Sequence, residues 1–95
     1  MLRTPAGDAR LRILEWLKDP VAHFPRQRYA DLVTDGVCAD AVAAKLGVPR
    51  AVARTHLTLL TNLGMLRAKR VRRRVHYRRD EVRIAEVARI FEKGW

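Results

Sequence analysis

Two helical patterns separated by three residues constrain this chain more than any other feature. Ala39, Val42, Ala43 and Leu46 fall at i, i+3, i+4 and i+7, which puts four apolar side chains on one side of an α-helix. Gly47 interrupts the pattern, since glycine takes without penalty the left-handed conformation that ends helices. Val48 and Pro49 follow, and proline near a first turn opens a second helix, predicted from Arg50 to about Leu63. On its wheel Ala53, Leu57, Leu60 and Leu63 share one arc with Val52, His56 and Leu59. Arg50, Arg54, Thr55, Thr58, Thr61 and Asn62 occupy the other.

Two helices joined by so short a glycine-containing turn form a helix-turn-helix, here about residues 39–63. The polar arc of the second helix carries no acid, whereas a solvated helix face normally mixes both signs. Arginine can hold a guanine edge bidentately, and threonine can donate to a phosphate or touch a thymine methyl. Arg50, Arg54, Thr55 and Thr58 are therefore the expected readers of a major groove.

Gly64 stops that helix, and the periodicity changes from 3.6 to 2. Leu66, Ala68 and Arg70 alternate, then Val75 and Tyr77 alternate with His76 and Arg78, so a β-hairpin is predicted over about 65–79 with its turn near Arg72–Arg74. Between Arg67 and Arg79, eight of thirteen residues are Lys or Arg and none is acidic. A hairpin directly after a recognition helix is a wing. Arg70, Arg72, Arg73 and Arg74 would lie along the phosphate backbone or enter a narrow minor groove.

The charge distribution supports the same partner. Net charge is +10 over 95 residues, and residues 50–79 alone hold ten basic side chains and no acid. Such a block needs a polyanion, and double-stranded DNA is the expected one. A sequence-indifferent nucleoid-associated or RNA-binding protein using the hairpin alone is the alternative. A protein-binding winged helix fits less well, because protein interfaces rarely concentrate so much uncompensated charge. An enzyme is not expected: the chain has no serine, no glycine-rich phosphate loop, and one cysteine without an evident histidine–acid partner. No cofactor is implied. The longest uncharged run, Thr55 to Leu66, is too short to span a bilayer, and MLRTPAGDAR lacks the apolar stretch of a signal peptide, so no membrane partner and a cytoplasmic location are expected. The single cysteine, Cys38, fits a reducing compartment.

One domain spanning 1–95 is therefore expected, mainly α with a small β-hairpin, a winged helix-turn-helix with helices at both ends. The first helix, about 8–18, is closed by Asp19-Pro20; Leu11, Ile13, Leu14 and Leu17 share a side, with Trp16 beyond its edge. Residues 20–37 are the least legible stretch, with a short helix predicted around Tyr29–Val33. The last helix, about 80–92, carries a stripe of Ile84, Val87, Ala88 and Phe91, which Trp95 continues if the helix runs on to the end of the sequence. Two tryptophans and a phenylalanine on terminal helices exceed what so small a core needs. Leu11, Trp16, Ile84, Val87, Phe91 and Trp95 are the expected homodimer interface.

RLRILEWL, GVCADAVAAKLGVPRAVARTHLTLLTNLGML and the closing VHYRR occur in an order and spacing similar to those of the ArsR-type winged-helix repressors of bacteria. The resemblance covers Leu11 to about Arg79, and THLTLLTNLGML is similar to the family's strongest signature. It implies a dimer paired through first and last helices, repressing from operator DNA in the nucleoid. The sequence departs from the family in two places. Arg54 and Thr55 stand where the family has Ser-Arg, so base preference does not transfer. Arg72 stands near a wing position that often holds glycine, which predicts a longer or more mobile tip.

The resemblance also places Cys38 at the first cysteine of the family's Cys-x-Cys metal motif, with Asp40 at the second. A soft divalent site needs three or four thiolate or imidazole ligands, and this pair supplies one. His23 lies in the illegible loop, His56 in the apolar arc as a packed core residue, and His76 among arginines. No metal site is expected, with Cys38 the one candidate for a metal- or oxidant-responsive repressor. The sequence leaves the effector, whether metal, oxidant, small molecule or protein, unnamed.

Overall fold

A computed structural model describes residues 5–92. The element order is α1 (Pro5–Lys18), α2 (Pro20–His23), β1 (Val37–Cys38), α3 (Ala39–Leu46), α4 (Arg50–Asn62), β2 (Leu66–Val71), β3 (Arg74–Arg79) and α5 (Glu81–Glu92). Helices and a small antiparallel sheet in this order form a winged helix-turn-helix.

Glycines punctuate the helix-turn-helix as the sequence requires. Gly47 adopts φ +72, its N–H donates to the Ala44 carbonyl, and the Val48 N–H reaches Ala43, the hydrogen-bond pair of a left-handed helix stop. Gly64 ends α4 in the same way at φ +82, with Met65 N–H donating to the Leu60 carbonyl. Pro49 sits just before the first turn of α4, where its missing N–H costs nothing.

The core is built from the apolar arcs. Ile13, Val37, Val42, Ala53 and Leu57 are fully buried, joined by Leu17, Ala43, Leu60, Leu66 and Tyr77. Val52 and Leu63, at the ends of the expected arc, remain exposed. His56 is buried in this core and accepts from Arg10 Nε at Nδ1, 3.3 Å away, so it is a packed, hydrogen-bonded histidine. Burial first, and then the Arg10 charge, lower its pKa below 6.5.

Three strands are present where a two-stranded hairpin was expected. β1 pairs antiparallel with β3, Val37 opposite Tyr77 and Cys38 opposite His76, and the sheet order is β1-β3-β2. In the wing, Val71 pairs with Arg74, leaving a two-residue turn at Arg72 and Arg73. Of the longer or more mobile tip predicted from the missing glycine, the longer loop does not form. Arg72 takes φ +57 itself, and its guanidinium lies 4.0 Å from the centroid of the Tyr29 ring. That stack offsets part of the strain of a left-handed arginine.

Residues 24–36 connect α2 to β1, with Phe24 buried in the core and Leu32 packed against it. The short helix expected at 29–33 is absent; the helical turn is Pro20–His23, and Asp31 instead folds its own loop, accepting from the Val33 and Thr34 N–H groups. Those N–H groups hold the Asp31 carboxyl below its usual pKa. Lys69 Nζ clips the loop to β2 through Asp35 at 2.6 Å, and Gln27 bridges the Gly36 carbonyl and the Cys38 N–H. A Cβ at Gly36 would stand 2.4 Å from the Tyr77 carbonyl oxygen, so only glycine fits there.

α5 follows from Asp80, whose Oδ1 accepts the Arg83 N–H as an N-cap while Oδ2 takes Arg67 at 2.9 Å. None of its residues is buried. Val82, Ile90 and Phe91 stand exposed, as does Leu11 on α1, while Ile84 and Val87 are half-buried. Trp16 is engaged within its own chain, edge-on to Phe24 at 6.3 Å and beneath Lys45 Nζ at 5.1 Å. Trp95 lies outside the described residues.

Candidate nucleic-acid interface

The N-terminal half of α4 and the wing face each other across a groove of about 150 Å³. Five of the expected site residues, Arg50, Arg54, Arg70, Arg73 and Arg74, line it. α4 delivers Arg50 and Arg54 from successive turns of its polar arc, and the tight hairpin brings Arg70, Arg73 and Arg74 alongside. Along the outer surface of α4, Ala51, Arg54, Thr55 and Thr58 form a shallow depression, so Arg54 belongs to both surfaces.

The remaining residues divide. The Thr55 hydroxyl donates to the Ala51 carbonyl at 3.0 Å, which uses its proton within the helix and leaves its oxygen and methyl outward. Thr58 is exposed. Arg72 is turned away from this groove onto Tyr29. Arg54, Arg70 and Arg73 have no carboxylate partner among the described residues.

One acid, Asp40, lines the groove. Its Oδ2 receives Arg74 Nη1 at 2.6 Å, and its Oδ1 lies 3.5 Å from Arg50 Nε. From the sequence alone Asp40 stands only as a candidate metal ligand. Its part in joining α3, α4 and the wing depends on pairing between distant segments, which no local pattern reveals. Tyr29 escapes the sequence pattern for the same reason, since its ring pairs with the distant Arg72; its neighbour Arg28 approaches that ring at 5.3 Å.

Cys38 is the residue preceding α3 and makes no side-chain cap bond. Opposite it stands His76, buried at 5% exposure, with Nδ1 lacking a hydrogen-bond partner in the protein. Arg79 Nε, also enclosed, faces the Glu81 carboxylate at 2.8 Å while Nη1 donates to the Leu14 carbonyl, which fastens β3 to α1. Among the described residues, no group of three or more His, Cys, Asp or Glu is placed to hold a metal ion. Nor is any described helix long and apolar enough to cross a membrane.

A groove of paired cationic walls, one helical and one hairpin, suits a ridge of regularly spaced anions. Over 83 residues the chain is 36% identical to a protein of Bacillus subtilis (strain 168) named an uncharacterized HTH-type transcriptional regulator, YbzH; the match covers 87% of this chain and 83% of that protein. No family model matches the chain, and no solved structure does.

Proposed function

The chain belongs to the HTH-type transcriptional regulators, and on that premise we propose that it is an ArsR-type repressor that binds operator DNA as a homodimer in the bacterial cytoplasm. The observation that carries the reading is the five-arginine groove between α4 and the wing. In this reading α4 enters the major groove, where Arg50 and Arg54 approach base edges and Thr55 and Thr58 supply an acceptor, a hydroxyl and methyl groups. Arg70, Arg73 and Arg74 follow the adjoining phosphates, and the tip residue Arg72 joins them once it leaves Tyr29.

The apolar residues left exposed on α5 and α1 support pairing of two copies. Val82, Ile90 and Phe91 are large exposed side chains on a helix with no fully buried residue, and a twofold partner is the commonest way to cover such a face. Two copies would present two recognition helices to a pseudo-palindromic site. Repression needs nothing further, because a dimer seated on a promoter blocks polymerase by occupancy.

Paired substitutions test this. Arg54→Ala should cost about 1–3 kcal/mol on the operator and much less on random DNA. Arg73→Ala should cost similar amounts on both and flatten the dependence of log K on log salt by about 0.9, the value of one lost phosphate contact. Equal losses for Arg54→Ala on both DNAs would reduce that residue to a phosphate clamp.

A further inference from the structure

A second cavity, about 560 Å³, lies behind the wing. Strand alternation puts His76 and Val71 of its lining on the sheet face opposite Val75 and Tyr77 of the groove facing α4, while Cys38, Arg73 and Arg74 are shared. Val37 and Tyr77 form one cross-strand row that enters the core; Cys38, His76 and Lys69 form the next row, on the opposite face of the sheet. The cavity sits on that outer face, between the 27–29 segment and the wing tip. Its size falls within the range of small-molecule sites.

The walls specify a chemistry. Arg28, Arg72, Arg73 and Arg74 line the cavity, and no acid does. Arg74 is engaged by Asp40, whereas Arg28, Arg72 and Arg73 have no carboxylate partner among the described residues. Tyr29, Val71 and Cys38 add apolar surface. His76 also lines the cavity, nine-tenths buried and with its Nδ1 unpartnered. Buried polar atoms ordinarily have partners, so an unpaired ring nitrogen on a residue lining a cationic pocket is available to a ligand there, donating to an anion when it carries the proton.

We propose that this cavity is an effector site for a small organic anion, one that joins a carboxylate or phosphate to an apolar or aromatic body. The guanidiniums would bind the anionic group and Tyr29 and Val71 the body. Arg73 and Arg74 line both this cavity and the groove facing α4, as does Cys38. An anion bound behind the wing therefore draws on the same positive charge as the DNA backbone and lowers affinity for DNA. This coupling rests on the DNA-binding reading; occupancy of the cavity does not.

The test uses the full chain labelled with ¹⁵N and titrated with benzoate, phenyl phosphate, inorganic phosphate and benzyl alcohol. Benzoate or phenyl phosphate should give saturable amide shifts confined to residues 27–29, 38 and 71–76. Inorganic phosphate should bind more weakly and benzyl alcohol not at all. Arg28→Ala and Tyr29→Ala, both at exposed positions, should each weaken the better probe by about tenfold, the value of one charge-assisted or stacking contact. Saturating probe should raise the dissociation constant for operator DNA by about tenfold. Shifts spread evenly over α4 and the wing and insensitive to both substitutions would overturn the site, as would the absence of saturable binding. A seated probe that leaves operator affinity unchanged would overturn the effector role. If the probe seats at Tyr29 but the protein shows no preference for any operator, the pocket stands and the DNA reading fails.

Discussion

Arg74 Nη1 and Asp40 Oδ2 are 2.6 Å apart, joining the first strand position after the wing turn to the first turn of α3. The same carboxylate stands 3.5 Å from Arg50 Nε, at the start of α4. One acid therefore occupies two of the guanidiniums that the proposed function assigns to DNA. Both pairs are solvent-exposed, and each contributes no more than about 1 kcal/mol to stability. Their consequence is competition, since a phosphate approaching Arg50 or Arg74 would meet the Asp40 carboxylate already beside both guanidiniums.

Asp40→Asn should remove that competition. Affinity for random DNA is expected to rise several-fold, within the limit of about 1 kcal/mol per exposed pair, and to depend more steeply on salt. Discrimination between operator and random DNA should fall, because the gain is electrostatic and indifferent to sequence. Fluorescence anisotropy at several salt concentrations measures both quantities. Weaker binding to both DNAs would mean instead that Asp40 orients the two arginines.

Two glycines with positive φ should respond very differently to alanine. At Gly36 the new Cβ meets the Tyr77 carbonyl at 2.4 Å, backbone that cannot yield without disturbing the β1–β3 pair. Gly36→Ala should cost about 3 kcal/mol or more. At Gly47 nothing lies within 4 Å, so only the left-handed strain remains, about 1–2 kcal/mol. Urea titrations of the two variants give the comparison, and equal losses would contradict the close approach at Gly36.

Stability should depend on pH in two separate windows. His56 has a pKa lowered from 6.5 by burial and by Arg10. The unfolded chain then binds more protons than the folded one, so stability is fully present above pH 6.5 and declines as pH falls toward the folded pKa. Asp80, lowered from 3.8 by the Arg83 N–H and then by Arg67, adds a loss that begins only as pH falls through 3.8. His56→Leu should abolish the first decline and keep the second in pH-dependent urea melts. Persistence of the upper decline in that variant would exclude His56 as its source.

The face left open on α5 predicts what disrupts assembly. Ile90→Glu together with Phe91→Glu should leave thermal stability of the monomer nearly unchanged, since both side chains are exposed in the single chain. If two copies pair through this face, sedimentation should report dimers for the parent and monomers for the variant, with operator affinity falling in parallel. A dimer that survives both changes would place the contact elsewhere.

The parts of this molecule legible in its sequence are those encoded by neighbours. Ala39 to Leu46 and Arg50 to Asn62 announce themselves through helical spacing, Gly47 and Gly64 through their need for positive φ, and the wing through alternation. β1 is two residues long, too short for any periodic signal, and forms only because β3 comes beside it. The burial of His76, the Asp40 junction and the Tyr29–Arg72 stack all follow from that long-range closure. Arg72 illustrates the limit most clearly. Its type argues against a tight turn, yet a ring outside the hairpin offsets the cost. Five arginines of the candidate interface were legible because charge is a property of the sequence; the acid between them was not, because its role is a property of the fold.

Specific recognition of DNA is the premise of every role proposed for the arginine groove. Its most direct test is a fluorescence-anisotropy titration at near-physiological salt, comparing DNA from upstream of the protein's own gene with a shuffled duplex of equal length. Binding to the upstream DNA should be tighter by about 10³-fold or more, with much of that margin lost in Arg54→Ala. Equal and steeply salt-dependent binding to both duplexes, unaltered in ratio by Arg54→Ala, would contradict it and make the arginine groove a sequence-indifferent nucleic-acid clamp.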